Sequence, residues 1–249
     1  MNLTLTILAI LPVYLILRYV YRKDNNKEPL SKLLYTFIAG CICIVPAAMQ
    51  ESLLSFFAPV TPISNGLYNG FVVAGFSEEL WKLILLSLII WRSREFDEYF
   101  DGIVYAVFLS MGFACVENLM YIFQPDDLST SYSTAIVRAM VSVPGHFLFA
   151  VAMGYYFSLA KFDPAHRSTH LLKALLYPTL LHGTFDAILM ISENLGGYPL
   201  VGSIMFFVFI YFDVKLWKKG LTRIRHMEQL SHQQDFDRQN PFANFKWTF

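Results

Sequence analysis

Charge is scarce in this chain. Only 15% of its 249 residues are Asp, Glu, Lys or Arg, against roughly 25% in an average soluble domain. The formal net charge is zero, so a polyanion-binding role is excluded and no nucleic-acid partner is expected. Cysteine is almost missing as well. Cys41 and Cys43 stand two apart in one apolar run, Cys115 lies in another, and no Cys-x-x-Cys occurs. Neither a disulfide framework nor a thiolate zinc site is indicated. The basic leader of a cleaved signal peptide is missing, because positive charge first appears at the far end of apolar residues 2–20, at Arg18, Arg22 and Lys23. Those residues read as a retained first span. There is no internal repeat, no sign of a second domain and no His-Glu-x-x-His.

What the chain does have is apolar runs of about 20 residues, the length that crosses a hydrocarbon core. Seven helical spans are predicted, at about 2–20, 33–57, 67–91, 101–123, 134–160, 171–192 and 197–217. The expected fold is an all-α polytopic membrane bundle of about seven transmembrane helices. Residues 1–217 form the single bundle, with a motif-bearing core at about 67–192. Residues 218–249 form a cytoplasmic polar tail, read as a short interfacial helix with a loose end. Pro12, Pro46, Pro144 and Pro178 fall inside spans, where neighbouring helices can satisfy the freed carbonyls.

Basic residues set the orientation. Of 19 Lys and Arg, only Lys82 and Arg138 lie away from the basic side; the others fall in connections or at span ends on that one side, and connections 58–66, 124–133 and 193–196 hold none. The positive-inside rule then places the amino terminus outside and the carboxyl terminus in the cytoplasm.

Against that apolar background several ionisable residues stand out. The third span contains Glu78, Glu79 and Lys82, at an insertion cost of about 8–10 kcal/mol before partners are counted. Lys82 follows Glu78 by four and Glu79 by three, so it can reach either carboxylate. One pair would neutralise the lysine, leaving the second carboxylate in need of another partner or a proton. Glu117 and Asn118 lie in the fourth span, Arg138 and His146 in the fifth, and His182 and Asp186 in the sixth, one helical turn apart. At a rise of about 1.5 Å per residue, Glu78, Glu79, His146 and His182 all lie roughly 16–18 Å deep. Glu117 and Asp186 lie nearer the outer face. Arg138, about four residues from its span end, is expected to snorkel to the interface.

Such a set permits three chemistries. A carboxylate shielded from bulk water can act as general base on a water molecule, with histidine moving the proton. Alternatively, His146, His182 and Glu117 could hold zinc. An acid and histidine relay could also carry protons or cations, although the inverted repeat common in transporters is missing.

The ordered motifs resemble those of the PrsW family of intramembrane proteases, within the wider group of CAAX prenyl proteases and bacteriocin-processing ABI proteins. They are Glu78-Glu79-x-x-Lys82, Asp101-Gly102-Ile103-Val104-Tyr105, Gly112-Phe113-Ala114 with Glu117-Asn118, His146 with Gly154-Tyr155, and His182-Gly183-x-x-Asp186. Two departures from the CAAX enzymes agree with the PrsW branch. Lys82 comes four after the first glutamate, where an arginine usually comes five after, and Glu117 replaces the histidine of Phe-x-x-x-His.

The resemblance implies a membrane endopeptidase of the bacterial cytoplasmic membrane that cuts a membrane-anchored protein, such as an anti-sigma factor, on its extracytoplasmic side in regulated proteolysis. Catalysis would fall to Glu78, Glu79, His146 and His182, supported by Lys82, Glu117, Asn118 and Asp186. The group is regarded as glutamic-type, whereas older descriptions make it metal-dependent, so no cofactor is required and zinc stays open. The alternatives are a non-catalytic immunity or binding protein of the same fold, and a proton- or cation-coupled transporter.

Overall fold

The computed structural model describes residues 2–195 and 199–240, and among these there is no strand. The described residues form seven helical rods. α1 is Leu3–Lys23 and α2 is Leu30–Ser55. α3 spans 62–90 in three pieces: Pro62–Tyr68, a π-helical stretch Asn69–Phe76, and Ser77–Ile90. α4 is Asp101–Phe123; α5 is Leu128–Phe162, with a π turn at Arg138–Ser142. α6 is Arg167–Asn194 and α7 is Pro199–Gln239.

Among the described residues five helices are long and apolar enough to cross a membrane: α1, α2, α4, α5 and the α6 segment counted from Pro164. Two further rods, α3 and the first half of α7, complete the predicted seven. α4 and α5 are the central pair, burying most of their apolar window, while α1 and α2 bury only about a quarter of theirs. Ile38, Ile42, Val45 and Met49 of α2 are correspondingly exposed, as a lipid-facing stripe must be.

Local chemistry explains several boundaries. Asp127 caps α5 by accepting from the Thr130 amide at 2.8 Å, so this rod begins six residues before its predicted start. Pro144 has no amide hydrogen to give the carbonyl four residues back, and the π turn at Arg138–Ser142 lies directly ahead of it.

The π stretch of α3 carries Gly70 and Gly75, which face α6. A Cβ on Gly70 would stand 2.6 Å from the Ala187 amide nitrogen, and one on Gly183 would stand 2.4 Å from the Phe71 ring. Only residues without a side chain allow the two backbones to approach this closely. That approach sets Glu79, one turn further along α3, against His182.

α7 differs from the expected short tail helix. It continues unbroken past residue 218 to Gln239 and packs on the connections at the basic end of the bundle. Glu228 pairs with Lys23 at 3.2 Å, the Phe100 amide donates to Ser231 Oγ at 2.9 Å, and Arg238 donates to the Asp97 carbonyl at 2.6 Å. Each contact satisfies a polar group that an exposed tail would leave to water. The expected loose end, residues 241–249, lies outside the described residues.

Candidate active site

Four rods bring their polar residues to one place. Lys82 Nζ donates to Glu78 Oε2 and to Glu79 Oε1, both at 2.9 Å. It therefore bridges both carboxylates, where the sequence reading required only one. Its third contact is His146 Nδ1 at 3.4 Å, and the ammonium lies 4.1 Å from the Phe113 ring centre. Lys82 is 1% exposed and Glu79 is fully buried, so both charges depend on these partners.

His182 is held at both nitrogens. Nδ1 lies 3.0 Å from Glu79 Oε1 and Nε2 lies 3.2 Å from Asp186 Oδ2. Carboxylate oxygens accept, so each nitrogen must carry a proton for both contacts to be hydrogen bonds. The ring stacks on Phe149, with centres 4.7 Å apart and planes 18° from parallel. His146 differs. Lys82 can only donate, so Nδ1 accepts, and Nε2 donates to Glu117 Oε2 at 2.8 Å.

Glu117 in turn takes Arg138 Nη2 at 2.6 Å, while Arg138 Nε donates to Asn118 Oδ1 at 2.8 Å. The expected snorkelling of Arg138 is therefore wrong: its side chain is 12% exposed and turned inward. The carboxylate one helix away outcompetes the interface because the contact is charge-assisted at both ends. Asn118 Nδ2 donates to the Ala9 carbonyl at 2.9 Å, so this residue ties α4 to α1, and its hydrogen bonds go to Ala9 and Arg138 rather than to Glu78 or Glu79.

A cavity of about 1050 Å³ reaches the cluster from the end of the bundle opposite the basic connections. Glu78, His146, His182 and Asp186 line it, and Glu79 and Lys82 do not. Glu51, which the sequence reading passed over, also lines it. The signal was available, since a lone acid near the end of an otherwise apolar α2 is itself anomalous.

One donor atom from each of Glu78, Glu79, His146 and His182 lies within 4.8 Å of the others, a set that could hold a metal ion. Two carboxylates and two imidazoles suit zinc. The space between the carboxylates, however, is where the Lys82 ammonium sits, 2.9 Å from an oxygen of each. A metal ion placed there would displace or face a buried positive charge, so the arrangement does not fit metal and ammonium together.

The family model described as PrsW family intramembrane metalloprotease matches residues 28–212. The chain belongs to the PrsW family. It is 37% identical over 227 residues to Protease PrsW of Clostridioides difficile (strain 630), covering 90% of this chain and 91% of that one. It is 32% identical to Protease PrsW of Geobacillus kaustophilus (strain HTA426) over 227 residues, 91% of this chain and 93% of the relative. Protease PrsW of Bacillus subtilis (strain 168) is 32% identical over 230 residues, covering 91% and 96%. No solved structure matches. The chain is thus a multi-pass membrane protein of a protease family, and the polar cluster lies wholly within the segment matched to PrsW.

Proposed function

We propose that the chain is an endopeptidase of the bacterial cytoplasmic membrane that hydrolyses a peptide bond in a membrane-anchored protein, an anti-sigma factor being the expected kind of substrate. The amino terminus lies outside, in keeping with the one-sided distribution of Lys and Arg. The cavity then opens to the extracytoplasmic side, where the substrate chain enters.

One observation carries the assignment of roles: Glu78 faces the cavity, and Glu79 stands behind it between Lys82 and His182. Glu78 is the general base. It takes a proton from water, and the hydroxide oxygen bonds to the scissile carbonyl carbon. His146 turns its Nε2 hydrogen from Glu117 to the oxyanion that forms. His182 gives a proton to the amide nitrogen as the carbon–nitrogen bond breaks, and the proton on Glu78 returns to His182, 3.9 Å away, by way of one water. Asp186 and Glu79 hold the imidazole in place. Within the cluster four carboxylates (Glu78, Glu79, Glu117 and Asp186) face three cations, namely Lys82, Arg138 and His182 when protonated at both nitrogens. No step passes through a metal ion.

The test is proteolysis of a single-span reporter in proteoliposomes. Glu78→Gln is expected to lower kcat by about 100-fold or more with helicity unchanged, and a chelator is expected to leave wild-type activity intact. Full activity of Glu78→Gln would overturn the role of this residue. Loss of activity with chelator, restored by zinc, would establish the metalloenzyme instead.

A further inference from the structure

A second cluster of donor atoms lies at the other end of the molecule, in the turn joining α5 to α6. The sequence there is Asp163-Pro164-Ala165-His166-Arg167-Ser168-Thr169-His170. Asp163 ends α5, a single 3₁₀ turn Pro164–His166 follows, and His170 lies in the first turn of α6. This folding brings residues three and seven positions apart onto one point. Asp163 Oδ2 lies 2.9 Å from His166 Nδ1 and 3.1 Å from His170 Nε2, and one donor atom from each residue lies within 4.8 Å of the others.

Two ligands bound tetrahedrally to zinc at about 2.0–2.1 Å stand roughly 3.3 Å apart. The two separations from Asp163 are within a few tenths of an ångström of that value, and the two imidazole nitrogens stand within 4.8 Å of each other, so a modest adjustment would turn the three atoms toward a common ion. The rest of the surroundings agrees. The two cations flanking this turn in sequence are turned elsewhere: Lys161 Nζ donates to the Trp91 carbonyl at 2.8 Å and Arg167 Nε to the Ala160 carbonyl at 3.3 Å. His170 Nδ1 is buried without a partner among the described residues, so the polar contact of this ring is made at Nε2. The His166 side chain is 71% exposed, which leaves an entry path and room for water as the remaining ligand.

We propose that Asp163, His166 and His170 form a binding site for a divalent first-row transition-metal ion, with zinc the best match to two imidazoles and one carboxylate. The ion would staple the end of α5, the rod of His146, to the start of α6, the rod of His182. The site is separate from the proposed catalytic centre, and its existence does not depend on that reading.

The probe is Co²⁺, whose visible absorption reports imidazole ligation, titrated into the detergent-purified full chain carrying no histidine tag. The expected result is one equivalent bound, displaced by Zn²⁺, with the melting temperature raised by either metal. Loss of an outer hydrogen-bonding partner alone weakens metal sites about 10–100-fold, so His166→Ala and Asp163→Asn should weaken binding at least tenfold. Both residues are surface-accessible and their replacement leaves the core untouched. Glu79→Gln should bind Co²⁺ as wild type does. No spectral change, unaltered binding in His166→Ala and Asp163→Asn, or binding lost only in Glu79→Gln would each overturn the site.

Discussion

His182 Nδ1 stands 3.0 Å from Glu79 Oε1, joining α6 to α3 inside the bundle. The other ring nitrogen faces Asp186 one turn along the same helix, at 3.2 Å. The imidazole is thereby fixed in angle by groups from two rods, while one face remains on the cavity. Replacing Asp186 with Asn keeps the shape and removes the charge. Activity should fall roughly tenfold or more, since a misoriented imidazole loses much of its value as an acid, with KM little changed. Equal kcat in reporter assays of Asp186→Asn and wild type would remove Asp186 from the mechanism.

Glu117 and Arg138 make a part-buried charge pair across α4 and α5. Removing one member of a fully buried pair costs about 3–5 kcal/mol because the survivor stays uncompensated, and this pair should cost less than that but more than removing both. Glu117→Gln and Arg138→Met should each lower thermal stability, and the double variant should lose less than the two singles together. Strict additivity in the melting data would show that the pair is not coupled.

The approach of α3 to α6 rests on Gly70. An added methyl would meet the Ala187 amide nitrogen at 2.6 Å and the Gly183 carbonyl oxygen at 2.8 Å, both backbone atoms that cannot turn aside. Gly70→Ala should cost about 1–3 kcal/mol and lower activity as well, by moving Glu79 off His182. Gly202→Ala is the control, since nothing lies within 4 Å of its added carbon. If both variants melt alike, the close approach is not what holds the rods.

A pH dependence of stability comes from the α1–α2 connection, outside the spans. Glu28 is buried there and accepts from the Tyr105 hydroxyl. Burial pushes its carboxyl up to about 7 from the usual 4.5, although the tyrosine hydrogen bond works against the rise. The folded chain therefore keeps a proton that the unfolded chain has lost. Its contribution is complete below about pH 4.5 and fades as pH rises through about 7. The melting temperature should drop between pH 5 and pH 8, and Glu28→Gln should flatten that drop. Parallel curves for the two proteins would assign the effect elsewhere.

Depth was the most readable property of the sequence. Counting residues from span ends placed Glu78, Glu79, His146 and His182 in one slab, and their donor atoms do converge. The His182–Asp186 contact followed from helical spacing alone. What stayed hidden depended on partners from other rods. Lys82 bridging two carboxylates requires a rotamer that Phe113 and His146 help to fix. The inward turn of Arg138 depends on Glu117 from the neighbouring helix, which no property of α5 reveals. The π turns have no hydrophobic period of their own, so only Pro144 and the paired glycines hinted at them. α7 was read as ending early because its polar stretch looks like a tail, whereas those residues meet hydrogen-bonding partners on the connections.

The way the charges are distributed among the rods also bears on how the protein is built. Lys82 finds both of its carboxylates on α3 itself, so this segment carries its own cation and needs outside help for one negative charge only, which His182 meets. α4 has no such provision, because Glu117 is matched by Arg138 on the next helix, only about 20 residues later in synthesis. The cheapest route for α4 into lipid is therefore together with α5, as a hairpin that enters only once the arginine has emerged.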